Sequence, residues 1–84
     1  MERTTMTRSQ YNVYKAIKNY IEEHKYAPSI REVCNLTGKN STGTIQVHLR
    51  NLKRMGYIDY IEGHSRTIRI IKDYEGYDEQ ELSI

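Results

Sequence analysis

The sequence predicts a mostly α fold with a small β-hairpin, organised as a three-helix winged helix-turn-helix. Three observations carry that reading. Apolar residues recur at intervals of three and four through three segments between Thr7 and Met55. Beyond Gly56 the period drops to two, over Tyr57–Ile61 and again over Thr67–Ile71. Only a short polar turn, Gly38-Lys39-Asn40, separates the second helical segment from the third.

The first helix opens at Thr7, because Gln10 lies three residues on and completes a capping box. It runs to about His24. Tyr14, Ile17 and Ile21 form its apolar stripe, broadened by Val13 and Tyr20. Lys15, Lys18, Glu22 and Glu23 face water, with Lys18 and Glu22 spaced as an i,i+4 pair. Lys25-Tyr26-Ala27-Pro28 breaks the helix, since Pro28 keeps Ala27 out of the α region. This long helix braces the back of the other two.

Ser29 and Glu32 repeat the capping box at the second helix, whose buried stripe is Ile30, Val33 and Cys34. Gly38 is its left-handed stop. Ser41 or Thr42 then caps the third helix, and Ile45, Leu49 and Leu52 share one of its faces. Gly56 ends it. Both β segments are rich in β-formers; Ile68 and Ile70 share a face with Arg69 turned away. Glu62-Gly63-His64-Ser65-Arg66 is a polar connector suited to a hairpin tip. Residues 1–6 have no period and are expected to fray, so the ordered domain is 7–72, followed by an acidic tail over 73–84 expected to be disordered.

A length of 84 residues leaves room for one small core, and eight tyrosines with no Phe or Trp imply that tyrosine fills part of it. The lone Cys34 cannot form an internal disulfide and occupies a core position. No apolar run approaches the roughly 20 residues of a membrane span, and no secretory segment opens the chain, so a cytoplasmic protein is expected. His24, His48 and His64 lack metal-ligand spacing, and the serines read as caps or loops. Neither an enzyme, a metal nor a cofactor is expected.

The formal charge of +2 conceals an asymmetry. Residues 1–72 carry 13 Lys and Arg against six Asp and Glu, a net of +7, whereas residues 73–84 carry five acids and no base. The cationic body suits a polyanionic partner.

On the third helix, the face opposite the apolar stripe carries Thr44, Gln46, Val47, Arg50, Lys53 and Arg54. Hydroxyls and an amide lie towards its start, cations towards its end. That is the chemistry of a helix that enters a major groove and holds the flanking phosphates. Gln46 can pair bidentately with adenine, and Val47 or the Thr44 methyl can pack on a thymine methyl. Gly43 permits close backbone approach in the first turn. Arg31, Arg50, Lys53, Arg54, Arg66 and Arg69 suit phosphates better than bases. Two plainer readings stand beside these: basic residues on a helix are commonly a solvated face, and exposed glutamines are common.

Three strings in order then acquire a family likeness: Ala27-Pro28-Ser29-Ile30-Arg31-Glu32-Val33, His48-Leu49-Arg50-Asn51-Leu52 followed by Gly56-Tyr57-Ile58, and Gly63-His64-Ser65-Arg66-Thr67-Ile68-Arg69-Ile70. Together they resemble the N-terminal DNA-binding domain of the LexA repressor family from about Thr7 to Ile71. The resemblance implies that the helix starting at Ser41 reads DNA and that the hairpin with Arg66 is a wing reaching a neighbouring groove or backbone. Thr42 and Gly43 stand where such repressors commonly have proline and a small polar residue. With Gln46 and Val47 they imply a different operator. The family's C-terminal half is a self-cleaving serine-lysine protease that also dimerises the repressor; this sequence stops where that half would begin, so self-cleavage is not carried over.

The resulting expectation is a bacterial or phage transcriptional regulator, a repressor by resemblance, that binds double-stranded DNA. The base-reading set is Ser41, Thr42, Gly43, Thr44, Gln46 and Val47. The backbone and wing set is Arg31, Lys39, Asn40, Arg50, Lys53, Arg54, His64, Ser65, Arg66 and Arg69. A domain this small makes few base contacts, so a homodimer, formed in solution or only on DNA, is expected. The alternative is a protein-binding winged-helix adaptor or antirepressor, favoured by the uncharged first turn and by the acidic tail, which would then dock on a protein partner.

Overall fold

The computed structural model describes residues 6–74. Three helices, α1 (Arg8–His24), α2 (Ile30–Thr37) and α3 (Thr42–Arg54), precede two short strands, β1 (Ile58–Asp59) and β2 (Arg69–Ile70). The strands pair antiparallel, Ile58 opposite Ile70 and Asp59 opposite Arg69. This is a winged helix-turn-helix.

Each helix starts where its cap chemistry dictates. The Thr7 hydroxyl accepts from the Gln10 amide at 3.1 Å, and Gln10 Oε1 accepts from the Thr7 amide at 3.0 Å. Ser29 and Glu32 do the same at 3.2 and 2.9 Å. Of the two residues that could cap α3, Ser41 does so; its Oγ accepts from the Thr44 amide at 3.4 Å. Such caps contribute on the order of 1 kcal/mol each.

The stops are equally local. Gly38 adopts φ +73° at the end of α2, where the Lys39 amide donates to the Cys34 carbonyl at 3.0 Å. At the end of α1 the break comes earlier than Pro28. Lys25 itself takes the left-handed conformation, φ 69°, and its Nζ donates to the Glu22 carbonyl at 2.9 Å.

All three helices pack on one another, and the core sits between them and β1. Val13, Tyr14 and Ile17 enter it from α1, Val33 and Cys34 from α2, and Ile45, Leu49 and Leu52 from α3. Tyr57, Ile58 and Ile68 close it from the hairpin side. Burying an aliphatic side chain of this size contributes about 1.5–3 kcal/mol. Tyrosine serves as core aromatic: the Tyr14 and Tyr57 rings meet edge-on at 6.2 Å.

Two expectations need correction. The strands are two residues long, where five each were expected. Side chains have taken the ladder's donors: the Tyr60 amide donates to the Asp59 carboxylate at 2.9 Å, and the Ile61 amide to Thr67 Oγ1 at 2.9 Å. At the other end, the Ile71 and Lys72 amides both converge on the Tyr57 carbonyl, the pattern of a β-bulge.

The ends of the domain also differ from 7–72. Met6, expected to fray, is buried, and its amide donates to the Tyr74 hydroxyl at 3.2 Å. Asp73 and Tyr74, assigned to the acidic tail, pack on the body: Lys18 and Asp73 pair at 3.3 Å, and the Tyr74 ring stands edge-on to Tyr57 at 5.2 Å. The reason is tyrosine's dual character, an apolar ring with a polar tip. The rest of both terminal assignments, 1–5 and 75–84, lies outside the described residues.

Tyr14 ties this closure together. Its hydroxyl donates to the Lys72 carbonyl at 3.0 Å and accepts from the Tyr74 amide at 3.1 Å. Tyr14→Phe removes both bonds and leaves two backbone groups without that partner. It should destabilise the domain by about 1–3 kcal/mol, read from urea unfolding at constant m-value.

Candidate nucleic-acid interface

The stripe that anchors α3 also sets which way its other side faces. Ile45, Leu49 and Leu52 are 0, 1 and 0% exposed. Thr42, Gly43, Thr44, Gln46, Val47, Arg50, Lys53 and Arg54 are all exposed, as is the cap Ser41. The predicted base-reading residues thus lie together along the outward side of α3. As the first residues of a helix, Thr42 and Gly43 have amides without intrahelical acceptors.

Gly43 has no internal reason to be glycine. Its φ is not positive, and a Cβ there would meet Ser41 Oγ at 3.4 Å, an ordinary contact. Glycine inside a helix costs about 0.5–1 kcal/mol relative to alanine. The fold bears that cost without return.

Beside α3 stands the wing, Tyr60 to Ile68. The Thr67 hydroxyl staples it, accepting from the Ile61 amide and donating to the His64 carbonyl at 3.1 Å. His64, Ser65 and Arg66 are exposed on its tip. A cleft of about 330 Å³ runs between wing and helix, with Gln46, Leu49 and Arg50 on one side and Tyr60, Ile61 and His64 on the other.

The cations divide into two groups. Arg31, Lys39, Arg50 and Arg54 form no ion pair among the described residues, whereas Lys53 and Arg69 share Asp59 at 3.6 and 3.4 Å. Lys53 also donates to the Tyr60 carbonyl at 2.9 Å and lies over the Tyr60 ring. The Tyr60 amide, with Arg69 and Lys53 beside it, holds the Asp59 carboxyl below its ordinary value. Asn40 is exposed in the turn before α3.

Arg66 is differently placed from the outward phosphate binder that its position at the hairpin tip suggested. Its backbone is left-handed, φ 58°, and its guanidinium turns back onto the body. Both η nitrogens donate to the Glu32 carboxylate, each at 2.9 Å. Nη1 also reaches the Ala27 carbonyl at 3.1 Å, and the guanidinium lies over the Tyr26 ring, 5.2 Å from its centroid. Glu32 was read only as the partner of the Ser29 cap; the carboxylate does both jobs at once. No sequence signal linked residues 32 and 66, because a contact across 34 positions has no period.

His48 is half-buried on α3. Its Nδ1 is buried and has no hydrogen-bond partner, and burial, with Lys39 nearby, pushes its pKa down. No described helix is long and apolar enough to cross a membrane.

Set against known families, residues 3–67 match the model of the LexA DNA binding domain. The chain belongs to that family. Among curated LexA proteins, it is 38% identical over 68 residues to the LexA repressor of Caldicellulosiruptor saccharolyticus, covering 81% of this chain and 34% of that protein. The LexA repressor of Clostridium kluyveri is 39% identical over 71 residues, 84% of this chain and 34% of its own length. The transcription regulator LexA of Synechocystis is 36% identical over 66 residues, 79% of this chain and 32% of its own. The chain spans about a third of the length of these relatives. The LexA match takes in all three helices, β1 and the wing tip, and stops short of β2 and the Tyr74 closure.

The Glu32 clasp titrates with a definite sign. Arg66 and the Ser29 amide hold the Glu32 carboxyl at about 2, below its ordinary 4.5. A depressed carboxyl stabilises the fold above its unfolded pKa, and that contribution is lost as pH falls through the folded one. The stability advantage of wild type over Glu32→Gln should therefore be constant above about pH 5 and shrink between pH 4.5 and 2, measured by chemical unfolding across pH.

Proposed function

We propose that the protein is a transcriptional repressor that binds specific sites on double-stranded DNA, with α3 in the major groove and the wing against the adjoining backbone or minor groove. The observation that carries the reading is the exposed row Thr42, Gly43, Thr44, Gln46, Val47 along α3, set on a domain of the LexA DNA-binding family. Ser41 and these residues supply groups that read or approach base edges, Gln46 through a bidentate pair with adenine. Arg31, Lys39, Arg50 and Arg54, free of ion pairs among the described residues, supply the phosphate contacts. Asn40, His64 and Ser65 flank them, and Lys53 and Arg69 contribute after sharing Asp59. A single domain of this size supplies limited affinity, so two copies on paired half-sites, about 10 base pairs or a multiple apart, complete the complex.

Selection of bound duplexes from a random pool tests this directly. Enrichment of a short inverted repeat is the expected result, and no enrichment at moderate salt would overturn it. The competing reading, a protein-binding adaptor, draws on the uncharged first turn Thr42-Gly43-Thr44. It predicts an interaction almost independent of salt, whereas each phosphate contact lowers the log–log salt slope by about 0.9.

Residue effects should differ in kind. Gln46→Ala should cost about 1–3 kcal/mol, confined to one base position. Arg50→Ala should weaken all duplexes alike and flatten the salt slope by about one contact. Gly43→Ala should raise unfolding stability by about 0.5–1 kcal/mol while weakening DNA binding, because the added methyl suits the helix and obstructs the approach. Thermal melts and fluorescence anisotropy on the same preparation read the two opposite signs.

A further inference from the structure

We infer that Glu32 and Arg66 form a positioning pair that sets the wing relative to α3, and that Arg66 is not itself a phosphate contact. The inference rests on the DNA-binding reading above and assigns the wing's control within it.

The geometry argues for this in three independent ways. The bidentate pair spends both η nitrogens of Arg66 on one carboxylate, so the fork that would grip a phosphate is occupied. The same guanidinium also donates to the Ala27 carbonyl and lies on the Tyr26 ring. It therefore touches both the start of α2 and the α1–α2 turn, and it ties the wing to the half of the motif that precedes α3. Finally, Arg66 holds a left-handed backbone that non-glycine residues adopt only when their surroundings impose it.

Charge supplies the contrast. The pair is neutral as a unit, so the wing tip presents no net cation from this position. Glu32 lies on the N-terminal turn of α2 and is locked by the Ser29 amide at 2.9 Å, so the anchor end is rigid. Wing and cap share one carboxylate.

Glu32→Gln is the discriminating substitution. Glutamine serves the capping box as glutamate does, so α2 stays capped while the ion pair is lost. The change also removes a negative charge, which by electrostatics alone would tighten binding to a polyanion. The positioning role predicts the reverse: about tenfold weaker binding to the selected duplex, with the salt slope unchanged. Arg66→Gln should give the same loss at the same slope, and the double variant should be no worse than either single one. Amide shifts and hydrogen exchange should change at residues 61–68 and not in α3.

Equal or tighter binding by Glu32→Gln would overturn the inference. So would a slope reduced by about 0.9 in Arg66→Gln, since that marks a lost phosphate contact. If the wild-type protein bound no duplex at all, the DNA-binding reading would fail by itself. The wing's exchange rates in Glu32→Gln would still report on the pair: unchanged rates would reject it.

Discussion

The rotation of α3 about its own axis is the constraint on which the rest depends. Three side chains fix it, Ile45, Leu49 and Leu52, all driven into a core whose opposite wall is α1. A helix advances 100° per residue, so slipping by one position would bring Gln46 inward and turn Ile45 out. An amide buried without partners costs on the order of 1–3 kcal/mol, and losing a buried isoleucine adds a similar penalty. The outward row is therefore specified by residues that are themselves buried in the core. Its polar members are free to vary because they contribute so little to holding the helix in place.

Much of this was legible in the sequence, for reasons that differ by element. The helix starts at Thr7 and Ser29 are decided within four residues, and capping boxes form there as the spacing implied. The stripe on α3 is a period, and periods are visible in one dimension. What escaped were contacts with no period. Thr67, Asp59 and Glu32 each bind groups far along the chain or divert a ladder donor, and their types alone do not say which. The strands were overestimated for that reason: their composition favours β structure, and two side-chain bonds shorten the ladder. Met6 and Tyr74 escaped because their burial depends on each other across the whole domain. As for the candidate base-reading residues, Ser41, Thr42, Gly43, Thr44, Gln46 and Val47, sequence and fold agree that they are exposed, and exposure has no signature of which atom would meet a base.

The charge balance looks different once the ion pairs are counted. From the sequence, the basic body presents every lysine and arginine on equal terms. In the folded domain three acids hold cations: Asp73 takes Lys18, Asp59 takes Lys53 and Arg69, and Glu32 takes Arg66. Exposed pairs of this kind contribute little to stability, typically 0–1 kcal/mol. Their larger effect is to sort the positive field. Among the described residues Arg31, Lys39, Arg50 and Arg54 keep theirs, clustered on α2, α3 and the turn between them, whereas Lys15, Lys25 and Lys72, also outside any ion pair, are spread over α1, the turn after it and the residues after β2. The helix-turn-helix is thus the more strongly cationic part of a surface that composition alone would paint uniformly.

A small domain with few contacts cannot spend much of its interaction energy on ordering itself. Immobilising a long side chain on binding costs about 0.5–1.5 kcal/mol, and a loose wing would multiply that. Three devices reduce the cost in advance: Ser41 starts α3 at a defined residue, the Thr67 hydroxyl closes the wing on itself, and the Glu32–Arg66 pair fixes the closed wing to α2. Of the three, only the first involves a residue of the proposed base-reading set, Ser41; the other two add no such group. Under the proposed function they would lower the cost of binding for the residues that read bases, and the position of the wing would belong to the affinity of the interface without a specific contact from its tip.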